Sequence, residues 1–265
     1  MNLNPFFGRL TLLTGPEAAQ ALERSRVMVF GLGGVGSWCA EALARSGIGN
    51  ICLVDSDVIC DSNINRQVQA STHTIGRLKS EVLEERLKEI NPSCGVTSIP
   101  RFFSRETSGI FDFNGTDYVI DAIDTLGSKL DLIETAQASG ACLFSCMGMA
   151  RKLDPTLIRT ADIWETSGCP LARLVRQGLR KRNFIGHFTA VYSDECLDRR
   201  PDSGDLSTAP DLSPDMSTAK GDRGKKIING SAVTVTAAAG MVLASLVIRD
   251  VCARYAPKPG AVNLE

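Results

Sequence analysis

The sequence lacks the cysteine spacing of a zinc site and the charge excess of a general nucleic-acid binder. Its nine cysteines are scattered, and no two are separated by two residues. This argues against a disulfide framework and a four-thiolate zinc site, and it suits a reducing cytosol. Lys and Arg number 29 against 30 Asp and Glu, so the net charge is −1. A globally basic nucleic-acid binder is therefore excluded, whereas a local basic patch is not.

The chain also lacks a clear membrane signal. Residues 1–13 contain no apolar core followed by a small-residue cleavage site, so we expect no signal peptide and a cytoplasmic protein. Residues 231–248 carry no charge, but this run is marginal in length for a membrane span and includes four hydroxyl side chains. We favour a buried core or dimer-interface helix there, and consider a peripheral or membrane-anchored protein the weaker alternative.

Apolar strands and amphipathic helices alternate along the first 150 residues. The pattern predicts strands at 26–31, 50–55, 96–99, 117–123 and 141–146, and helices at 35–45, 75–90 and 126–138. In the second half, it predicts strands at 157–163 and 188–192, a helix at 171–183 and the final helix. This order predicts an α/β fold with a doubly wound, mainly parallel Rossmann-like sheet and helices on both faces.

A glycine-rich turn lies between the first strand and the first helix of this sheet. Gly31, Gly33 and Gly36 form a GxGxxG pattern, and Gly34 lies within it. In such a turn the first glycine permits the tight bend, the second lets a phosphate approach the backbone, and the third lets the helix pack on the strand. The helix N-terminus adds amide donors and positive potential. Asp55 ends the second strand, where an acid binds ribose hydroxyls; a glycine turn without a ligand is the alternative.

The residues that follow the second strand favour a triphosphate over NAD. Arg66 and Lys79 supply two cations, and Asn63 and Gln67 supply amides. A dinucleotide pyrophosphate needs little more than amides, whereas a triphosphate needs cations. Asp124 follows the fourth strand, at the sheet edge where a carboxylate could hold Mg²⁺ on phosphate oxygens. The alternatives are solvated surface charges for the two cations and a helix N-cap for the acid.

Five motifs in the chain resemble a known family. These motifs, GLGGVGSW, LVDSD, NINRQ, GRLKS and DAIDT, are similar to those of the ubiquitin-activating-like (ThiF/MoeB-type) adenylating enzymes, which activate a carboxylate with ATP. The resemblance covers most of residues 6–250. It implies that Asp55 binds the ribose, that Arg66 and Lys79 bind phosphates, and that Asp124 supports Mg²⁺ and catalysis.

The resemblance also implies a shared site in a homodimer. Arg9 matches the family's N-terminal arginine, which reaches the γ-phosphate of the ATP in the partner subunit. Asp57, Asn63 and Gln67 belong to the matched nucleotide-site motifs. The whole chain, 1–265, is then expected to be one adenylating domain with an N-terminal helix or arm (1–25), a nucleotide-binding half (26–150) and a substrate-side half (151–265). The segment 199–224, rich in Pro, Ser, Asp and Gly, is predicted to be a long mobile loop.

The C-terminal half resembles one branch of that family, which dehydrates N6-threonylcarbamoyladenosine in tRNA. The matching stretches are 147–148, 154–156, 161–163, 170–172 and 191–195, and residues 43–49 in the first half also match closely. Cys169 departs from the pattern, because an acid commonly precedes the Pro-Leu pair. The branch implies ATP-dependent adenylation of the threonyl carboxylate and ring closure by the carbamoyl group. Two alternatives stay open: adenylation of a sulfur-carrier or ubiquitin-like protein, and a nucleotide-binding regulatory protein on the same fold. A sulfur-transfer partner protein also stays open.

A local basic surface agrees independently with an RNA substrate. No acid occurs between Glu165 and Asp194, whereas Arg173, Arg176 and Arg180 share one face of a predicted helix. We call these three residues the arginine face. Such a face suits RNA phosphates in a chain of nearly neutral charge. A solvated helix face without a partner is the alternative.

Overall fold

The computed structural model describes residues 5–195 and 230–255, and within them the chain forms a seven-stranded sheet. The strands are β1 (Arg26–Phe30), β2 (Asn50–Val54), β3 (Gly95–Ile99), β4 (Tyr118–Asp121), β5 (Cys142–Cys146), β6 (Ile158–Asp162) and β7 (Thr189–Ser193). Their order across the sheet is β3-β2-β1-β4-β5-β7-β6. All neighbours are parallel except β6 and β7, so the predicted mainly parallel sheet is confirmed.

Helices cover both faces of the sheet. They are α1 (Gly8–Thr14), α2 (Pro16–Arg24), α3 (Gly36–Arg45), α4 (Lys79–Ile90), α5 (Leu126–Ser139), α6 (Pro170–Lys181) and α7 (Val233–Tyr255). One apolar core forms between the sheet and α3, α4 and α7, and a second forms between the sheet and α5 and α6. The doubly wound α/β class predicted from the alternation of elements is therefore confirmed.

Two helices differ from their predicted bounds by more than two residues. The helix expected to begin at residue 75 begins at Lys79, because Gly76 has φ +84° and Leu78 makes an antiparallel bridge with Val58. The final helix extends to Tyr255, beyond the uncharged run that ended at 248. The predicted loop 199–224 lies outside the described residues.

The order of the strands places a crevice beside β1. The sheet continues from β1 through β2 in one direction and through β4 in the other. At such a switch point, the loops after the carboxyl ends of the strands diverge and leave a crevice for a ligand. The loops that follow β1, β2 and β4 carry the glycine turn, Asp55 and Asp124 respectively. Three separated stretches of sequence therefore meet at one edge of the sheet.

The helix α7 is long and apolar enough to cross a membrane by length and composition alone. Its residues Val235, Ala239, Leu243 and Val247 are fully buried in the core that α7 shares with α3. A Cβ at Gly240 would lie 2.5 Å from the carbonyl oxygen of Val35, so the glycine permits close packing at the start of α3. This packing supports the core-helix interpretation of the apolar run.

An acidic side chain joins the two helices that follow β1 and β2. Glu41 in α3 is 4% exposed and accepts hydrogen bonds from Arg86 of α4 at 2.6 Å and from Arg45 at 2.9 Å. Burial alone would raise the pKa of Glu41, but the bonds from Arg86 and Arg45 outweigh it and lower the pKa below its ordinary value.

Candidate functional site

Two glycines of the turn are required by the backbone itself. Gly31 has φ +85°, a conformation that favours glycine, and a Cβ there would lie 2.7 Å from the carbonyl oxygen of Ala122. A Cβ at Gly36 would lie 1.8 Å from the carbonyl oxygen of Gly31. The turn therefore packs tightly against the start of α3 and against the loop that follows β4.

The other two glycines face different surroundings. A Cβ at Gly34 would lie 3.1 Å from Arg66 Cγ and from the side chain of Thr236, so a larger residue would crowd both neighbours. A Cβ at Gly33 would have no other atom within 4 Å. The open side of the turn is therefore at Gly33, where a phosphate could approach the backbone amides.

The carboxylate of Asp55 is fixed beside the glycine turn. It accepts the backbone N–H of Leu32 at 2.6 Å and that of Asp57 at 2.9 Å. Burial raises the pKa of Asp55, while the nearby Lys79 charge opposes that change. Each carboxylate oxygen accepts one of these bonds and retains acceptor capacity, which ribose hydroxyls could use.

Lys79 lies inside the protein and not on its surface. Its side chain is 4% exposed, and its Nζ lies 2.8 Å from an oxygen of Asp57. Its backbone N–H, the first in α4, donates to the carbonyl oxygen of Asp57 at 2.9 Å. The solvated-surface interpretation of Lys79 is therefore wrong, and Asp57 is the residue that orients it.

Arg66 lies along the glycine turn. Its Nη1 donates to the carbonyl oxygen of Ser62 at 2.6 Å and to Asn65 Oδ1 at 2.9 Å. Its own carbonyl oxygen accepts the indole N–H of Trp38 at 3.0 Å. Arg66 is half-buried, and its Cγ lies next to Gly34. The solvated-surface interpretation is wrong for this cation too.

The amides near Arg66 include one that sequence analysis missed. Gln69 is 3% exposed and donates to the carbonyl oxygen of Leu32 in the glycine turn at 2.8 Å. Its place two residues after Gln67 in the same motif was the available signal. Within the described residues, Asn63 Nδ2 and Gln69 Oε1 are buried without a hydrogen-bond partner. Buried orphan polar atoms beside a glycine turn fit a polar ligand such as a nucleotide.

The two acids after β4 have different environments. Asp121 is fully buried and lies 2.8 Å from Lys129 Nζ, an ion pair that sequence analysis missed. Asp124 is exposed and accepts only a 3.3 Å bond from the Thr125 hydroxyl among the described residues. The N-cap of α5 is Thr125, so the N-cap interpretation of Asp124 is wrong. Of these two acids, Asp124 is the one free to meet a cation.

The described residues 5–195 and 230–255 contain no cluster of three or more His, Cys, Asp or Glu side chains that could hold a metal ion. A protein cage for a metal is therefore absent from this part of the chain. Mg²⁺ in nucleotide sites is commonly bound by one or two carboxylates together with phosphate oxygens and water. An exposed carboxylate with free lone pairs, as at Asp124, fits that arrangement.

The N-terminal arginine is not tied to the site of its own chain. Arg9 lies exposed on α1, and its guanidinium makes no hydrogen bond or ion pair with any described residue. The structure contains one protomer, so a role for Arg9 in a partner's site stays a prediction.

The three side chains of the arginine face have different surroundings. Arg173 is exposed, whereas Arg176 is half-buried and donates to the Thr166 hydroxyl. Arg180 lies over the ring of Trp164, with 5.5 Å between its guanidinium carbon and the ring centroid. Sequence analysis found no aromatic side chain on this surface, because Trp164 precedes α6 by several residues. The stacked pair adds an aromatic plane to the basic face.

Two buried cysteines near the site have raised pKa values. Burial raises the pKa of the Cys146 thiol to about 12, and it also raises the pKa of Cys39. Cys169 is buried, and Cys196 lies outside the described residues. A thiol kept protonated in this way is a poor nucleophile, which agrees with a reaction that needs no thioester.

The fold and its crevice place the chain among nucleotide-binding proteins with a Rossmann-like sheet. Within that class, the chain belongs to the ThiF family, whose family model matches residues 7–258. The resemblance found in the five motifs is therefore confirmed.

Individual relatives are similar over most of the chain. The tRNA threonylcarbamoyladenosine dehydratase of Bacillus subtilis is 43% identical over 189 residues, covering 71% of this chain and 74% of its own. The enzyme of the same name from Haemophilus influenzae is 39% identical over 253 residues, covering 93% of both chains. The structure of E. coli tRNA N6-threonylcarbamoyladenosine dehydratase, TcdA, in complex with ATP has a TM-score of 0.79 and 33% identity, covering 94% of this chain and 95% of that one.

Proposed function

We propose that this chain is an ATP-dependent enzyme that dehydrates N6-threonylcarbamoyladenosine next to the anticodon of tRNA. The observation that carries the proposal is the similarity of this chain to the tRNA threonylcarbamoyladenosine dehydratase of Haemophilus influenzae, over 93% of both chains. The similarity spans both halves of the chain. The site agrees, because a glycine turn, an acid for the ribose and two cations meet at one crevice.

The reaction removes water at the expense of ATP. The threonyl carboxylate of the substrate attacks the α-phosphate of ATP, and pyrophosphate leaves. The resulting acyl-adenylate makes AMP a good leaving group. The carbamoyl group of the same substrate then attacks the acyl carbon, a ring closes, and AMP departs with one oxygen of the former carboxylate. No external nucleophile and no cysteine thioester are needed.

Residues of the crevice have separate tasks in this scheme. Asp55 accepts the ribose hydroxyls, and the open backbone at Gly33 receives the phosphates. Arg66 and Lys79 stabilise the negative charge that develops during phosphoryl attack, which is the main catalytic contribution in such reactions. Lys79 is held in place by Asp57, so its position is preorganised before ATP binds.

Asp124 is assigned to Mg²⁺. Its exposed carboxylate lies at the carboxyl edge of the sheet, one strand away from the glycine turn. When bound, Mg²⁺ neutralises charge on the ATP phosphates. The protein's part is to hold one carboxylate near those phosphates and leave the other ligand positions to phosphate oxygens and water.

The assembly is proposed to be a cytoplasmic homodimer of single-domain chains. The sheet crosses the boundary at residue 150 without interruption, which supports one domain over 1–265. The guanidinium of Arg9 is exposed and pairs with no described residue, which supports its assignment to the γ-phosphate in the partner's site. A sulfur-transfer partner protein is a further proposal, for which no described residue offers a specific contact.

The arginine face is proposed to bind tRNA phosphates. Arg173 and Arg180 are exposed on α6, and no acidic residue occurs nearby in sequence. Basic side chains on one helix face neutralise RNA phosphates and release counterions. The stacked Trp164 stiffens the position of Arg180.

An ATP–pyrophosphate exchange assay tests the proposal. We expect exchange with tRNA that carries the threonylcarbamoyl group, and none with tRNA that lacks it, because only the first has the carboxylate. Asp124→Ala should abolish the exchange. Exchange with a sulfur-carrier protein alone would contradict the proposal and support the other branch of the family.

A further inference from the structure

A buried polar network lies directly behind Asp124. Asp121, Lys129 and Ser145 are each fully buried, and they come from β4, α5 and β5. Asp121 Oδ2 lies 2.8 Å from Lys129 Nζ and accepts the Ser145 hydroxyl at 2.5 Å. Three separate elements thus place their polar groups around one carboxylate beneath the crevice.

The network forms hydrogen bonds with both backbone polar groups of one residue, Ile123. The Ile123 backbone N–H donates to Asp121 Oδ1 at 3.1 Å, and the Ile123 carbonyl oxygen accepts from Lys129 Nζ at 2.8 Å. Ile123 immediately precedes Asp124 in the chain. We call Asp121, Lys129 and Ser145 the Ile123 clamp.

The clamped loop also touches the glycine turn. The Ala122 N–H donates to the Phe30 carbonyl oxygen at 2.8 Å, and the Ala122 carbonyl oxygen lies where a Cβ on Gly31 would collide with it. The loop is therefore fixed on one side by the turn and on the other by the clamp. Asp124 directly follows two residues, Ala122 and Ile123, whose backbone groups are hydrogen-bonded in this way.

Stability alone does not account for this ion pair. Replacing a buried ion pair with apolar groups is often neutral or stabilising, because the free energy needed to remove both charges from water offsets most of their attraction. Lys129 also lies near the N-terminus of α5, the end of a helix that disfavours a cation. A buried ion pair at this position therefore points to a role in holding the neighbouring loop in place.

We propose that the Ile123 clamp positions the Asp124 carboxylate for the adenylation step, so that Asp121, Lys129 and Ser145 are positioning residues for the reaction. The inference rests on the role of Asp124 in the proposed function. Catalytic groups displaced by about 1 Å lose roughly a hundredfold in rate. The hydrogen bonds of the clamp reach neither Asp55 nor the glycine turn, and the bond from Ala122 to Phe30 that holds the loop against the turn is not part of it. Nucleotide binding without Mg²⁺ should therefore not depend on the clamp.

The main test uses the double variant Asp121→Asn/Lys129→Met. It removes both buried charges together, so neither is left unpaired, and it removes the Lys129 bond to Ile123. We expect a folded protein whose amides at 122–125 exchange hydrogen faster than in wild type. The rate of ATP–pyrophosphate exchange should fall about tenfold to a hundredfold. The half-saturating Mg²⁺ concentration should rise, while ATP affinity measured by calorimetry without Mg²⁺ should not change.

Two further variants separate position from general stability. Ser145→Ala removes one bond to Asp121 and should change the same quantities in the same direction by a smaller factor. Glu41→Gln weakens a different ion pair, between the buried Glu41 of α3 and the partly exposed Arg86 of α4, and should leave the exchange rate and the Mg²⁺ requirement unchanged. If Glu41→Gln lowers the exchange rate as much as the double variant, general destabilisation is the cause and the proposal is wrong.

The proposed role of the Ile123 clamp and the proposed function on which it rests can be contradicted separately. A folded double variant with wild-type exchange rate, Mg²⁺ requirement and hydrogen exchange at 122–125 would overturn the clamp, whatever the role of Asp124. An Asp124→Ala protein with full activity would instead overturn the role of Asp124. Should the double variant fail to fold, Ser145→Ala alone decides, and wild-type values there would also overturn the clamp.

Discussion

A methyl group at Gly33 should block ATP and leave the fold intact. Gly33 lies on the open side of the turn, and a Cβ there meets no atom within 4 Å. Its φ is outside the left-handed region, so alanine can adopt the backbone without strain. Gly36 is the opposite case, because a Cβ would lie 1.8 Å from the Gly31 carbonyl oxygen, and Gly36→Ala should prevent folding.

The expected magnitudes follow from these surroundings. For Gly33→Ala, the free energy of unfolding should change by less than about 1 kcal/mol, since the substitution mainly restricts the unfolded chain. A phosphate must come within about 3 Å of the turn's amides to accept their bonds. The methyl group prevents that approach, and losing one hydrogen bond to a charged group costs about 1.5–3 kcal/mol. ATP should bind about tenfold to a hundredfold more weakly.

Calorimetric titration with ATP and thermal melting of the same sample measure both quantities. Gly109→Ala is the matched control, because a Cβ at Gly109 also meets no atom within 4 Å and Gly109, between β3 and β4, lies in none of the three loops that meet at the crevice. The control should bind ATP as wild type does. Wild-type ATP affinity in Gly33→Ala would refute the assignment of the phosphate site to this turn.

Other predictions follow from the same geometry. Asp55→Ala should weaken ATP binding by about 1–3 kcal/mol in a calorimetric titration, because charge-assisted bonds to the ribose are lost; unchanged affinity would place the ribose elsewhere. Arg9→Ala and Asp124→Ala chains should each be nearly inactive, and mixing them should restore part of the activity through one intact hybrid site; no recovery in subunits shown to exchange would exclude Arg9 acting across a dimer. Replacing the arginine face with alanine should flatten the plot of log tRNA affinity against log salt by roughly 2–3 units, and by less if the contacted RNA is single-stranded; equal slopes and affinities would mean that α6 does not touch RNA. The lowered pKa of Glu41 stabilises the fold above its ordinary pKa of about 4.3, and this contribution is lost as the pH falls through the folded value. The melting temperature of wild type should therefore fall more than that of Glu41→Gln as the pH is lowered. Equal falls would contradict a lowered pKa of Glu41.

The sheet and the ends of its strands could be predicted from sequence, because buried parallel strands are short continuous apolar runs. The position of Asp55 at the end of β2 could be predicted as well, since it directly follows such a run. The start of α4 could not, because the bridge between Val58 and Leu78 joins residues distant in sequence. Periodicity continued through residues 75–78 and gave no sign of that contact.

The environments of the charged residues were harder to predict. Asp121 and Asp124 stand three residues apart with similar chemistry, yet one is buried with Lys129 and the other is exposed. The difference arises because β4 ends at Asp121, whose side chain faces α5 and β5. A solvated surface charge was the alternative for Lys79, but the backbone carbonyl and the carboxylate of Asp57 both bond to it. These contacts are set by tertiary packing, which sequence spacing does not report.

The most direct test of the central claim follows one oxygen atom. The threonyl carboxylate of N6-threonylcarbamoyladenosine in tRNA is labelled with heavy oxygen, and the tRNA is incubated with the protein, ATP and Mg²⁺. Mass spectrometry of the products should find one labelled oxygen in AMP and a nucleoside lighter by one water molecule. Unlabelled AMP, or release of the label as water while the ring still closes, would contradict adenylation of the carboxylate.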